Sequence, residues 1–442
     1  MLDSKKNFIK KCQENLNIAQ SVRQRDKASI SLKDNRELIV HEFEKYDTSF
    51  LNPTYLHALQ IPQPGLMSVV YDMFLRTTSL ALLNRPIFVW EKNMLLLKIE
   101  EFFDYGDLDA LISSLGEINL KIMESRIEHN VIESVNSNNI FTEILMEAND
   151  THFDWLARYG KAISRKDIHM AKHWFALSDK ELQRIAKHIA DAFFHGFISQ
   201  SRQIAGRSNV RLLYSIGQEA IAKQVFQEFM ERGISPIPLE PQSTSIPYVY
   251  ELDHRFDEML NNYVSSQDML NQFYENSMQK YQQSVENICG FVRVSSFGRE
   301  AKASRSQYAF EPPQKMRDAY QQYQSHVRDV ESRILRPDRL SFCSVAFPDI
   351  DIGKDFSDIF EEFMHINTED SAHYEEIQQQ LIDILDTCDS VHIQGLGLNK
   401  TDIHICFRKE LDAKTQSNFL NCGGDLNIPY GEVFTTPSLT GT

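Results

Sequence analysis

The stretch from Val210 to Leu239 constrains the fold more than any other. Val210-Arg-Leu-Leu-Tyr-Ser215 is a short apolar run of strand type. Gln218 to Arg232 then places Ile221, Val225 and Phe229 on one helical face, Gly233 stops that helix, and Ile234 to Leu239 is a second apolar run. Two strands joined through a helix need a crossover, so they lie parallel. A parallel sheet must be covered on both faces, and this predicts an α/β layer fold.

The flanks extend the pattern. Ser178-Asp-Lys-Glu181 has the spacing of a capping box and opens a helix through Ile185, Ile189 and Phe193, closed by Gly206-Arg-Ser-Asn209. Ile288 to Val294 and Leu340 to Ala346 read as a third and fourth strand. A polar helical stretch with Leu270, Phe273, Tyr274, Met278 and Tyr281 on one face precedes the third, and a charged helix from Gln314 to Leu335 precedes the fourth. Asp355 to Phe363 and Ala372 to Thr387 are helical. Beyond them, Val391 to Gln394 and Thr401 to Phe407 alternate in period two around a Gly-rich turn, which predicts an antiparallel hairpin. Gly395-Leu-Gly397 lacks the third glycine of a dinucleotide loop and leads into a strand, not a helix.

Upstream of Ser178 the spacing is helical. Leu66, Val69, Val70, Met73, Phe74 and Leu80 share one face, with Pro62, Pro64 and Gly65 before them and Arg85-Pro86 after. Glu91 to Phe103 and Leu108 to Ile127 predict further helices. His41-Glu42 is no zincin motif, because Lys45 stands where the second His is required. The expected fold class is α/β: an N-terminal helical region (1–177), an open, mostly parallel α/β sheet domain (178–390), and the start of a second, mixed-sheet domain (391–442).

Composition narrows the function. A chain of 442 residues, 42% hydrophobic and 11% aromatic, can bury a large core. A formal net charge of −16 and a pI near 5.4 disfavour nucleic-acid and anionic-membrane partners. The opening MLDSKKNFIKKCQENLN has no apolar core of a secretory signal, and Asp72 and Arg76 interrupt the most apolar helix. The six cysteines show no metal-finger spacing. Most sit in apolar runs such as Ile288-Cys289 and Ile405-Cys406-Phe407, so buried reduced thiols and a cytoplasmic setting are expected.

The motif that carries chemistry lies near the C-terminus. In Asn427-Ile-Pro-Tyr-Gly-Glu-Val-Phe-Thr-Thr-Pro437, Pro429 and Gly431 make a bend, Val433 to Thr435 have strand character, and Glu432 is the carboxylate at the junction. This segment resembles the NMPxxEVFTxP motif of the aminopeptidase T and aminopeptidase S family of metallo-aminopeptidases, the thermophilic metalloproteases. The likeness runs from about Ser178 to the end. Val210 to Leu239 with Gly217-Gln218-Glu219 looks like the family's first β-α-β unit. Leu340 to Phe363 is similar to its strand, Tyr-Pro-Thr and helix, although Phe347-Pro348-Asp349 replaces Tyr-Pro-Thr and Phe342 stands where Trp is usual. Thr401-Asp-Ile-His-Ile405 is similar to its Thr-Asp-Leu strand.

The resemblance implies a hydrolase that removes N-terminal residues from peptides, using two divalent ions, zinc or cobalt, to bridge and activate a water. It makes Glu432 a metal ligand and implies a homodimer. The family's other ligands follow the motif, whereas ten residues follow Glu432 here. The chain is therefore expected to be an N-terminal portion that lacks most ligands, does not hold the ions tightly and is inactive alone. His392 and His404 are expected to be ordinary half-buried strand histidines, not replacement ligands. Two other readings stay open: a non-catalytic α/β binding or oligomerisation protein descended from such a peptidase, and an unrelated α/β protein.

Overall fold

The computed structural model describes residues 2–199, 202–204, 206–242, 259–260, 267–298, 306–368, 371–407, 419–421 and 433–435. The helical region contains α1 (Leu2–Gln24), α2 (Pro64–Leu82), α3 (Val89–Tyr105), α4 (Leu108–Glu133) and α5 (Arg165–Phe175), with shorter helices between them. The sequence assigns α2 one apolar face, but Met67, Tyr71, Leu75 and Thr78 on its other sides are buried as well. The reason is that α1 packs along it, so α2 is a central helix whose Asp72 is neutralised by Arg76 at 2.6 Å. Phe8, Phe50, Tyr71 and Phe103 meet around it as an aromatic core.

The sheet follows as expected. α6 (Asp179–Ser199) starts at the Ser178 cap, where Glu181 accepts from the Ser178 N–H at 2.9 Å and the Ser178 hydroxyl accepts from the Glu181 N–H at 3.3 Å. β1 (Asn209–Leu213), α7 (Glu219–Glu231) and β2 (Ser235–Pro238) make the crossover unit. α8 (Gln267–Lys280) leads towards β3 (Ile288–Phe297), and α9 (Gln314–Leu335) leads to β4 (Ser341–Pro348). All pairings in this sheet are parallel, and the strand order is β2-β1-β3-β4. Gly290 in β3, at φ 153°, faces Ser341 so closely that a Cβ would lie 1.9 Å from the Ser341 carbonyl oxygen, so this pairing requires glycine.

Alternation along the strands decides what each face meets. Val210 and Leu212, Val292 and Val294, and Cys343, Val345 and Phe347 join Ile189 and Phe193 of α6 and Val225 and Phe229 of α7 in one core. Trp155, Tyr159, Met170 and Trp174 of the helical region belong to that same core, with Trp174 edge-on to Phe347 at 4.9 Å. Hydrophobic packing thus runs across position 177. On the opposite face Arg211, Phe291 and Phe342 stand in register, the two rings stacked at 5.0 Å. α4, α8 and α9 pack together through Met123, Ile127, Leu270 and Tyr323.

After β4 come α10 (Phe356–Ile366) and α11 (Ser371–Leu385). Two antiparallel pairs follow: β5 (Ser390–Gln394) with β6 (Asp402–Cys406), and β7 (Phe419–Asn421) with β8 (Val433–Thr435). No described helix is long and apolar enough to cross a membrane.

Candidate functional site

The Val-Phe-Thr of the motif is a strand. β8 pairs with β7 in the register Asn421↔Val433, Leu420↔Phe434 and Phe419↔Thr435. Glu432, with Pro429 and Gly431, lies outside the described residues; in sequence it immediately precedes β8.

In an open parallel sheet of this order the ligand crevice opens beyond the carboxyl ends of β1 and β3, where the connections leave in opposite directions. Here that place is filled. Gln218 accepts from the Ser215 N–H at 3.1 Å, and its Nε2 donates to the Ser295 carbonyl at 3.0 Å, joining the β1 loop to β3. Glu219, fully buried at the start of α7, accepts from the Gly217 N–H at 2.9 Å. Burial pushes its carboxyl up to about 8; the Gly217 N–H and the Tyr159 hydroxyl act against the rise, and Asp167 adds to it. Tyr159 and Tyr214 share a hydroxyl contact of 2.9 Å beside it. Gly217 has φ 95°, and a Cβ there would meet Met170 Cβ at 2.8 Å, so α5 closes this corner against the loop. Gly217-Gln218-Glu219 therefore locks the β1 loop and opens no phosphate cradle.

A cavity of about 230 Å³ lies between α4, α8 and α9, with Arg211 of β1 at its floor. Arg211 donates to the Ser134 carbonyl and hydroxyl, each at 3.3 Å, and faces Glu331 at 3.9 Å. The volume is below the range of about 300–1,000 Å³ usual for ligand pockets. With its arginine so engaged, the cavity reads as a packing seam.

The β5–β6 hairpin departs from expectation. His392 and His404 are exposed, not half-buried, and stand directly opposite each other with ring centroids 3.7 Å apart and planes 13° from parallel. His392 Nε2 is 2.6 Å from Asp402 Oδ1. Sequence reasoning assigned the hairpin but not this juxtaposition, although the turn length contains it: pairing Gln394 with Asp402 makes His392 and His404 partners. Cys406, expected in a buried apolar run, is exposed on the same hairpin, whereas Cys289 and Cys343 are buried within the parallel sheet. Cys422 lies outside the described residues.

Among the described residues, His392, Asp402 and His404 form the group whose donor atoms could hold a metal ion, all within 4.8 Å of one another. They do not fit the two-ion centre implied by the resemblance, which needs ligands from several elements; these three come from one exposed hairpin.

The fold is thus an α/β layer with an N-terminal helical region and antiparallel strand pairs after the parallel sheet. Compared with protein-family models and with curated proteins, the chain matches none.

Proposed function

We propose that the chain belongs to a metal-dependent aminopeptidase, with Glu432 a metal ligand, a peptide as substrate and a homodimer as its assembly. The observation that carries this reading is β8. Val433-Phe434-Thr435 is a paired strand that Glu432 immediately precedes in sequence, and a strand start is a rigid place from which to hold an ion. The β2-β1-β3-β4 sheet and the β5–β6 hairpin, in that chain order, support it. Burial pushes the thiols of Cys289 and Cys343 up to about 12, which suits reduced, unreactive cysteines and a cytoplasmic setting.

The filled crevice at the end of β1 favours one alternative, a non-catalytic α/β protein used for binding or oligomer contact. Turnover of leucine and arginine p-nitroanilides, with zinc or cobalt supplied, separates the two. The protein expressed from its complete reading frame gives chelator-sensitive turnover, and the 442-residue chain alone gives none, because one carboxylate does not offset the dehydration of two divalent ions. Absence of turnover from the complete reading frame with either metal supports the binding role. Chelator-sensitive turnover by the 442-residue chain would show that it holds ligands of the peptidase centre besides Glu432.

A further inference from the structure

We infer that His392, Asp402 and His404 form a binding site for one late first-row divalent cation of the zinc type, separate from any peptidase centre that includes Glu432.

Register places the donors. Gly395 N–H donates to the Thr401 carbonyl at 2.7 Å, and Phe407 N–H donates to the Asp389 carbonyl at 3.0 Å. Bonded pairs alternate along an antiparallel ladder, so His392 and His404 occupy a non-bonded pair, where Cα atoms approach to about 4.5 Å and side chains come closest. Asp402 is two residues from His404 on the same face and diagonal to His392, within reach of its ring. The same alternation sends Ile393 and Ile403 to the opposite face. One face of this hairpin therefore presents two imidazoles and a carboxylate side by side.

The donor set selects the ligand. Two imidazoles and one carboxylate suit zinc, cobalt, nickel or copper, and leave positions open to water. They suit magnesium and calcium poorly, since those ions take oxygen ligands. Zinc sits at about 2.0–2.2 Å from such ligands, so donors spread over 4.8 Å close on it through small side-chain rotations. Solvent gives room for those rotations: the His392 and Asp402 side chains are 36% and 65% exposed. The ion takes His392 Nε2, Asp402 Oδ1 and one ring nitrogen of His404, in place of the contact between His392 and Asp402. Once bound, it ties β5 to β6 across the hairpin.

The test is calorimetric titration of Zn²⁺ into the tag-free 442-residue chain carrying Cys388→Ser and Cys406→Ser, which removes the exposed thiols. Expected is one ion per chain, with no heat from Mg²⁺. His392→Ala, His404→Ala and Asp402→Asn each weaken binding about tenfold or more, with unchanged far-UV circular dichroism. Co²⁺ binds the same background with visible d–d bands and no thiolate charge-transfer band. Glu432→Gln leaves the titration unchanged. No saturable Zn²⁺ binding, or equal binding by His404→Ala, would overturn the site. Loss of the ion in Glu432→Gln would overturn its separateness and assign the ion to the peptidase centre. Because the titration reads no peptide turnover, failure of the peptidase reading leaves it intact.

Discussion

Glu240, two residues beyond β2, meets Arg85, which follows α2, at 2.8 Å. Lys161, ahead of α5, pairs with the same carboxylate, and Arg85 also pairs with Glu133 at the end of α4. Four separate segments thus meet at the edge of the parallel sheet, fastening the helical region to it.

Burial alone would raise the Glu240 carboxyl, but Lys161 and Arg85 outweigh it and hold it at about 2, below its ordinary 4.5. A depressed carboxylate contributes stability that is complete above pH 4.5 and is lost as pH falls through 2. Glu240→Gln should cost about 1–2 kcal/mol at pH 7, because the side chain is 31% exposed and solvent screens part of the pairing. Denaturant unfolding checks this: the gap between wild type and variant narrows towards zero as pH falls to 2. A gap that does not change with pH would remove the ion-pair explanation.

Glu219 has the opposite sign. Its folded value, about 8, exceeds the ordinary 4.5, so its contribution is complete below pH 4.5 and is lost as pH rises through 8. Glu219→Gln keeps the acceptor for the Gly217 N–H and cannot ionise. Wild type and variant should be equally stable near pH 4, and the variant more stable by about 2 kcal/mol or more at pH 8. Parallel stability curves across that range would mean that the carboxylate ionises without strain.

Much of this fold was legible in the sequence, because each β-α-β step is local. An apolar run, a helical face and a glycine stop lie in order between Val210 and Leu239, and the strands form where those runs are. The Ser178 cap was legible for the same reason, its two partners being three residues apart. What the sequence hid is non-local. Nothing near Trp174 signals that it packs on Phe347, and nothing near Arg85 signals Glu240. α4 runs beyond Ile127 to Glu133 because Val131 continues its buried face. The histidine pair was hidden by register, since period two puts His392 on a face without saying what stands opposite. Glu432 was legible as a motif residue alone, and the strand that follows it is now a structural fact.

The central claim is that Glu432 holds a metal in a working aminopeptidase. Glu432→Gln keeps the shape of the side chain and removes its charge, so a merely solvated Glu at this place would tolerate the change within about 0.5 kcal/mol of stability and with no loss of function. A ligand would not, since the loss of an anionic donor releases an ion that must stay bound through turnover. The measurement is aminopeptidase turnover, together with metal content by elemental analysis, of wild type and Glu432→Gln expressed from the complete reading frame. The account predicts loss of chelator-sensitive turnover and of the peptidase-centre metal in the variant, with the hairpin ion retained and the far-UV circular dichroism unchanged. Equal turnover and equal metal content in the two proteins would contradict it.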